Sequence, residues 1–226
     1  MGDSLYAALK PGEALTWYRE ALAADSTSYP ALWKADRAAV DVAKQMEKGD
    51  ILYDLARRYA ERAIRADSTD PDGHFVLALA LGRLSRTKGG RERVRFGRII
   101  YDEAAHAVAL KPEHDGAHHI LGAWHAEVKR LSGISRFFAR TFFGGAFLSR
   151  ANWDSSVAHL EQAVTLDPAY IYHHLELAEV LIDLKRYDEA RTQLNAIAPL
   201  PPTSDVLDPM YKKKAAELLE EVRRKK

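Results

Sequence analysis

Residues 23–27 read AADST, and residues 65–69 read RADST. Two further segments, ALKPE at 109–113 and TLDPA at 165–169, hold the same place further along the chain. Aligning the alanine two positions before each of these segments gives Ala21, Ala63, Ala107 and Ala163, and Ile197 falls in line as a last member. The successive spacings are 42, 44, 56 and 34 residues. A chain that restates itself at such intervals builds one supersecondary unit several times. One unit cannot bury its apolar face alone, so the copies must stack.

The residues between the turns identify the unit. One helix of each copy carries a large residue, then Leu and a small residue, then another large one: His74, Leu77, Ala78, Leu81; His118, Leu121, Gly122, His125; His174, Leu177, Ala178, Leu181. The second helix of such a unit wants small, large, small, and reads Ala14, Tyr18, Ala21; Ser156, Leu160, Ala163; with small Ala60 in the middle of Ala56, Ala60, Ala63; and, ending on a larger residue, Ala190, Leu194, Ile197. Small residues let antiparallel helices approach closely, and large ones fill the facing groove. Pro112, Pro168 and Pro202 close three copies, where proline cannot continue a helix. The pattern is that of the tetratricopeptide repeat, whose period is the last spacing. The other three exceed it by 8, 10 and 22 residues. The expected fold is all-α, an α-α superhelix with lengthened or inserted turns within its repeats. One domain covers residues 1–226: a half repeat at 5–26, repeats at about 29–68, 71–112, 115–168 and 171–202, and a capping helix at about 208–225.

The extra residues share one address. The stretches Ala43–Tyr53, Ser85–Gly97 and Lys129–Trp153 are long, whereas Lys185–Tyr187 is not. All three therefore lie at the same edge of the solenoid, and a basic run from Arg83 to Arg98 neighbours the largest insert, at 131–152. The bland expectation for that run is a solvated turn, and the alternative is a surface for phosphate groups. Within the insert, SRFFARTFFGGAFLSR at 135–150 holds five of the seven phenylalanines: Phe137, Phe138, Phe142, Phe143 and Phe147. Ile134, Phe137, Phe138 and Phe142 share one face of a helix of about two turns, which Gly144 and Gly145 end. The segment either folds back onto neighbouring helices or borders the groove.

Composition excludes several roles. Lys and Arg number 33 against 32 for Asp and Glu, so no global field draws in nucleic acid. There is no cysteine for a disulfide or a thiolate site. Of nine histidines, His74, His118 and His174 fill one slot in three copies and cannot converge on one ion, so no metal is expected. No carboxylate pair, nucleophile elbow or complete phosphate loop stands out, so neither catalysis nor a cofactor is expected. No signal peptide or membrane span is visible, so the chain reads as cytoplasmic, or periplasmic after loss of a signal.

Three segments narrow the resemblance: GGRERVRFGRIIYDEAAHAVALKP, then HHILGAWHAEVKRLSGISRFFARTFFG, then ANWDSSVAHLEQAVTLDPAY. With LWKADRAAVDVAKQ at 32–45, they make the chain similar to the regulator of microtubule dynamics family of tetratricopeptide proteins. The match includes His119, Leu121, Gly122, Trp124, Leu131, Ser132, Phe143 and Gly144, and covers roughly residues 29–220. The resemblance implies a helical adaptor rather than an enzyme. Animal members are described as microtubule-associated or as membrane-contact proteins whose repeat domain binds phospholipid. High Ala and Arg content suggests a bacterial relative, for which the fold and an apolar groove carry over but a microtubule role does not.

First helices line the concave face of such solenoids. Their outward positions hold Trp33 and Arg37; Phe75, Leu79 and Arg83; His119 and Glu127; and Tyr172, Leu175 and Glu179. This is no Lys/Asn clamp for a terminal carboxylate but an aromatic and aliphatic groove with arginines near one end. It suits a partner's helix or extended peptide, which is the favoured reading. The alternative is a phospholipid or fatty-acyl ligand with the Phe-rich insert as lid. Neither the partner nor the oligomeric state is specified by these residues.

Overall fold

A computed structural model describes residues 1–203 and 205–225, apart from the side chains of Arg136, Phe138, Arg140 and Phe142. Phe138 and Phe142, expected on the insert surface, thus lie outside the described residues. The described chain is helical, without strands. A short helix α1 (Gly2–Ala7) packs on α2 (Pro11–Ala24). Helical hairpins follow: α3 (Tyr29–Lys44) with α4 (Asp50–Ala66), then α5 (Pro71–Ser85) with α6 (Gly90–Leu110). Helix α7 (Asp115–Arg130) pairs with α9 (Trp153–Leu166) across an intervening α8 (Gly133–Phe142) and a 3-10 turn, Gly145–Arg150. A last hairpin, α10 (Ile171–Asp183) with α11 (Tyr187–Ile197), is covered by α12 (Asp208–Val222). This is a tetratricopeptide solenoid.

In the first two hairpins the extra residues lengthen helices. Helices α3 to α6 run 16, 17, 15 and 21 residues, against 13 and 11 in the hairpin without an insert. The third hairpin instead spends its surplus on α8 and the 3-10 turn. Ser132 caps α8, its hydroxyl accepting from the Ser135 N–H at 3.1 Å. Gly144 ends it in the left-handed region at φ 68°, where a side chain would be strained.

The recurring turn has a mechanism. The Asp25 carboxylate accepts from the N–H and hydroxyl of Thr27 at 2.9 and 2.7 Å, and Asp67 repeats both bonds with Thr69. These side-chain bonds close the chain after α2 and α4 without a further helical turn. The slot histidines also share one task. Nε2 of His74, His118 and His174 faces the carbonyl six residues back, on Ser68, Pro112 and Pro168, at 3.1, 2.9 and 3.0 Å. Each Nδ1 meets the second helix of its own hairpin, at Glu103, His159 and Gln193. Each ring thus ties the loop before its hairpin to the helix after it.

The small slot sets the approach of the helices. A Cβ added at Gly122 would stand 2.5 Å from Cγ of Leu160, which is itself fully buried. Ser156 donates its hydroxyl to the Gly122 carbonyl at 2.8 Å across the same contact. In the first hairpin the register puts Asp36 in this slot, opposite the smaller Ala60. Asp36 is 0% exposed and neither carboxylate oxygen has a hydrogen-bond partner among the described residues. Burial, reinforced by Asp41, holds its pKa well above the usual carboxylate range, so the group is buried as the neutral acid.

Substitutions at the slot test both arguments. Gly122→Ala is expected to lower the urea midpoint by overpacking, a cost of about 1–3 kcal/mol that outweighs the gain of about 1 kcal/mol in helix propensity. Leu160→Ala, in the same chain, should remove that extra penalty. For Asp36, the unfolded chain releases its proton above about pH 4 while the folded chain retains it, so the penalty grows as pH rises toward the raised pKa. Asp36→Ala should stabilise by about 1–3 kcal/mol at pH 7 and by much less at pH 4 in matched urea titrations.

Candidate functional site

The first helices of the hairpins enclose a cavity of about 900 Å³ on the concave side. Its wall includes Trp33, Arg37, Phe75, Leu79, Arg83, His119, Glu127 and Tyr172, eight of the ten groove positions expected from the repeat register. Leu175 and Glu179 are not on it. Leu175 is 1% exposed and packs in the apolar cluster that includes Tyr211, while Glu179 pairs with Lys214. Both corrections have one cause: α12 occupies the place a further first helix would take and covers the end of α10. Tyr211 stacks on Tyr172 at 4.4 Å with a 7° interplanar angle, leaving only part of the Tyr172 ring on the wall.

One end of the cavity is polar and closed by a contact between the two ends of the solenoid. The Lys44 ammonium lies 2.9 Å from Asp41 and 3.1 Å from Asp205, which is 161 residues away. Tyr6 donates to Asp41, Tyr170 donates to Asp205 at 2.7 Å, and the Leu207 N–H donates to the second Asp205 oxygen at 3.0 Å. The side chains of Lys44, Asp41 and Asp205 are 6%, 5% and 2% exposed, so this group sits out of water. Burial opposes ionisation of Asp205, but Lys44 and the Leu207 N–H outweigh it and hold the carboxyl below the usual range. Burial likewise opposes the Lys44 charge, and the two aspartates raise its pKa above the ordinary value.

Beside this group, in which one ammonium serves two carboxylates, stand two arginines that make no ion pair with a carboxylate among the described residues. The Arg37 guanidinium lies 4.2 Å from the centre of the Tyr6 ring and 5.2 Å from that of Trp33, with its Nε buried and unpaired. Arg83 lies 6.0 Å from the Tyr172 ring. Such cation–π contacts position a guanidinium without neutralising it, which leaves its charge for an anionic group.

The other end is apolar, with Val94, Ile100, Ile120, Val128 and Leu131 on the wall. Ile134, Ala139, Phe143 and Leu148 of the insert join them, so the insert borders the cavity. Its phenylalanines divide. Phe147, expected at the insert surface, is 8% exposed, packed 6.1 Å from the Trp124 ring with the Arg98 guanidinium 4.8 Å from its own. Phe143 is on the wall yet 40% exposed, and Phe137 is 60% exposed. Arg98 also donates to the Gly144 carbonyl at 3.3 Å, so the basic run and the Phe-rich insert meet as the repeat arithmetic expects. Asp41, Lys44, Tyr170, Asp205, Asp115 and His173 also line the cavity, and no local pattern announces them. Asp41 and Lys44 pair three residues apart on α3, the other pairings join residues distant in the chain, and only the position of His173 beside the slot residue His174 marks any of them.

The family model for regulator of microtubule dynamics protein 1-3 matches residues 2–223. The chain belongs to this family. Regulator of microtubule dynamics protein 3 of Rattus norvegicus is 26% identical over 75% of this chain and 36% of its own length. The Mus musculus protein 3 is 25% identical over 83% and 40%. The chain thus spans less than half the length of these curated relatives. Among solved structures, a thermophilic tetratricopeptide protein of Thermus thermophilus superposes with a TM-score of 0.70 at 21% identity, covering 96% of this chain and 95% of that one. Pseudomonas aeruginosa pilF superposes with a TM-score of 0.58 at 16% identity, covering 97% and 82%. At these identities the structural likeness concerns the fold. No helix among the described residues of this family member is long and apolar enough to cross a membrane.

Breaking the end-to-end contact tests its weight. Lys44→Met leaves two buried aspartates unpaired and is expected to cost about 3–5 kcal/mol in urea denaturation. Hydrogen exchange should show protection falling first at residues 205–208. Because the Asp205 pKa is lowered in the folded state, its contribution is present above the ordinary carboxylate pKa and is lost as pH falls through the folded value. Protection in this segment should therefore drop on acidification below about pH 4.

Proposed function

We propose that the chain is a non-catalytic binding module that takes a helix or extended segment of a protein partner in its concave cavity. A tetratricopeptide solenoid supports a protein-interaction scaffold in general. The feature that carries the finer reading is the pairing of aromatic wall residues with two arginines that make no ion pair with a carboxylate among the described residues. An acidic side chain of the partner meets Arg37 and Arg83, and adjacent apolar side chains bury against Trp33, Phe75 and Leu79. The volume of about 900 Å³ suits a short segment of chain rather than a folded surface. The relatives' names refer to microtubule dynamics, and that role is not carried over to this chain.

A second reading takes a phospholipid or fatty-acyl chain in the same place. It is favoured by the apolar end of the cavity, which the insert borders with Ile134, Ala139, Phe143 and Leu148. An acyl chain would lie there with its anionic head toward the arginines.

Crosslinking pull-downs with the native chain and with Phe75→Asp separate these outcomes. A partner bound in the cavity should lose about tenfold or more in affinity with Phe75→Asp, the scale of a central interface residue. An unchanged partner list would remove the groove from consideration. Native mass spectrometry of the purified protein, with liposome sedimentation, decides for lipid if an acyl species co-purifies and against it if none binds.

A further inference from the structure

Three side chains on the cavity wall form a chain of hydrogen bonds that none of the binding contacts above uses. His119 Nδ1 lies 3.0 Å from His173 Nδ1, and His173 Nε2 lies 3.0 Å from an oxygen of Asp115. All three residues line the cavity. His173 is 1% exposed and His119 is 9% exposed, whereas the Asp115 side chain is 40% exposed and open to solvent at one side. The Asp115 carboxyl is held below the usual range, burial opposing this and the hydrogen bond from His173 outweighing it. Asp115 is therefore an acceptor.

Proton accounting then sets the direction of the chain. An acceptor at Asp115 requires N–H at His173 Nε2. With one proton on a neutral ring, His173 Nδ1 is a lone pair and accepts from His119 Nδ1–H. The reverse direction needs a second proton on His173. That would make the ring, 1% exposed, an imidazolium paired with the partly exposed Asp115 on a wall that already holds Lys44 and Arg83. His119 is then neutral with its lone pair on Nε2. Burial above all pushes its pKa well below the ordinary histidine value, in keeping with a neutral ring. Its Nε2 has no hydrogen-bond partner among the described residues, and it is not one of the sealed, unpaired polar atoms of the interior. The ring stands 4.7 Å from that of Tyr172, close to the aromatic wall.

We propose that His119 reads a hydrogen-bond donor on the ligand: the Asp115–His173 chain holds its Nε2 as an acceptor on the cavity wall, which selects an N–H or O–H group carried on an apolar body. This rests on the reading of the cavity as a binding site and adds a selection rule to it. An apolar ligand that lacks the donor strips water from Nε2 and leaves that acceptor unpaired, whereas one that carries it replaces the water. His119 is the contact residue; His173 and Asp115 are positioning residues that set its tautomer. Partner segments with a buried Trp, Tyr or free backbone N–H at this point satisfy the rule.

The test has two readouts on the full chain. Long-range 1H–15N correlation spectra of the imidazoles, with His119 assigned by its loss in His119→Leu, report the tautomer without any ligand. The expected state between pH 6 and 8 is protonated Nδ1 and bare Nε2; a protonated Nε2 overturns the proposal and leaves the cavity reading standing. Indole and 1-methylindole, which differ by a single N–H, serve as probes. Indole should bind about three- to tenfold tighter to the native chain, a ratio that falls to about one in His119→Leu and is partly restored in His119→Gln. Asp115→Asn, whose amide either donates or accepts, should bring the ratio down while both probes still bind. Equal affinities in the native chain overturn the donor rule. Failure of both probes to bind, with Nε2 bare, overturns the cavity reading and the donor rule with it.

Discussion

Close approach of two helices at a small residue is the contact on which everything else in this solenoid rests. Where Gly122 faces Leu160 there is no room for one added carbon, and Ala78 and Ala178 hold the same slot in the neighbouring copies. Helices set this close form rigid hairpins, and hairpins of fixed shape stack with a fixed rotation. The curvature that makes a concave side is the sum of those rotations. The slot histidines add a second constraint, because each ties the loop entering a hairpin to the helix leaving it.

Curvature brings the ends together, and their meeting gives the cavity its chemistry. Lys44 near the end of α3 bridges Asp41 and Asp205, the latter just before α12, so one ammonium is shared by the two carboxylates at this end. The arginines beside them make no such pair among the described residues. An unmatched pair of guanidinium groups among aromatic rings follows from where the lock places its charges, rather than from any excess of basic residues in the chain. At the opposite end the insert contributes apolar side chains, and the cavity becomes amphiphilic along its length. The exposed Asp115 and buried His173 extend the same logic to a single atom, since a carboxylate on one side of the wall decides which nitrogen of His119 bears a proton.

The insert shows how a segment changes meaning when it is folded. As a peptide, SRFFARTFFGGAFLSR has the look of a membrane-surface motif, with arginines between aromatic residues. In the fold, Phe147 joins the core against Trp124, Phe143 straddles wall and solvent, and Phe137 remains exposed. These three described rings are placed by what surrounds them, so identical residues a few positions apart serve different ends.

Local pattern was enough for the architecture. The spacing of the turns, the small-residue slots and the prolines at repeat ends are all properties of neighbouring residues, and each acts through contacts within one hairpin or between adjacent ones. The first-helix positions facing inward follow from the same period, which is why Trp33, Arg37, Phe75, Arg83 and His119 are legible as cavity wall. Leu175 and Glu179 follow the period equally well yet are covered, because α12 lies outside the repeat that predicts them. Lys44 with Asp205, and Asp115 with His173, were decided only by tertiary structure. Such pairs are separated by 161 and 58 residues, and the sequence at one member carries no trace of the other until the solenoid has turned far enough to bring them within a hydrogen bond.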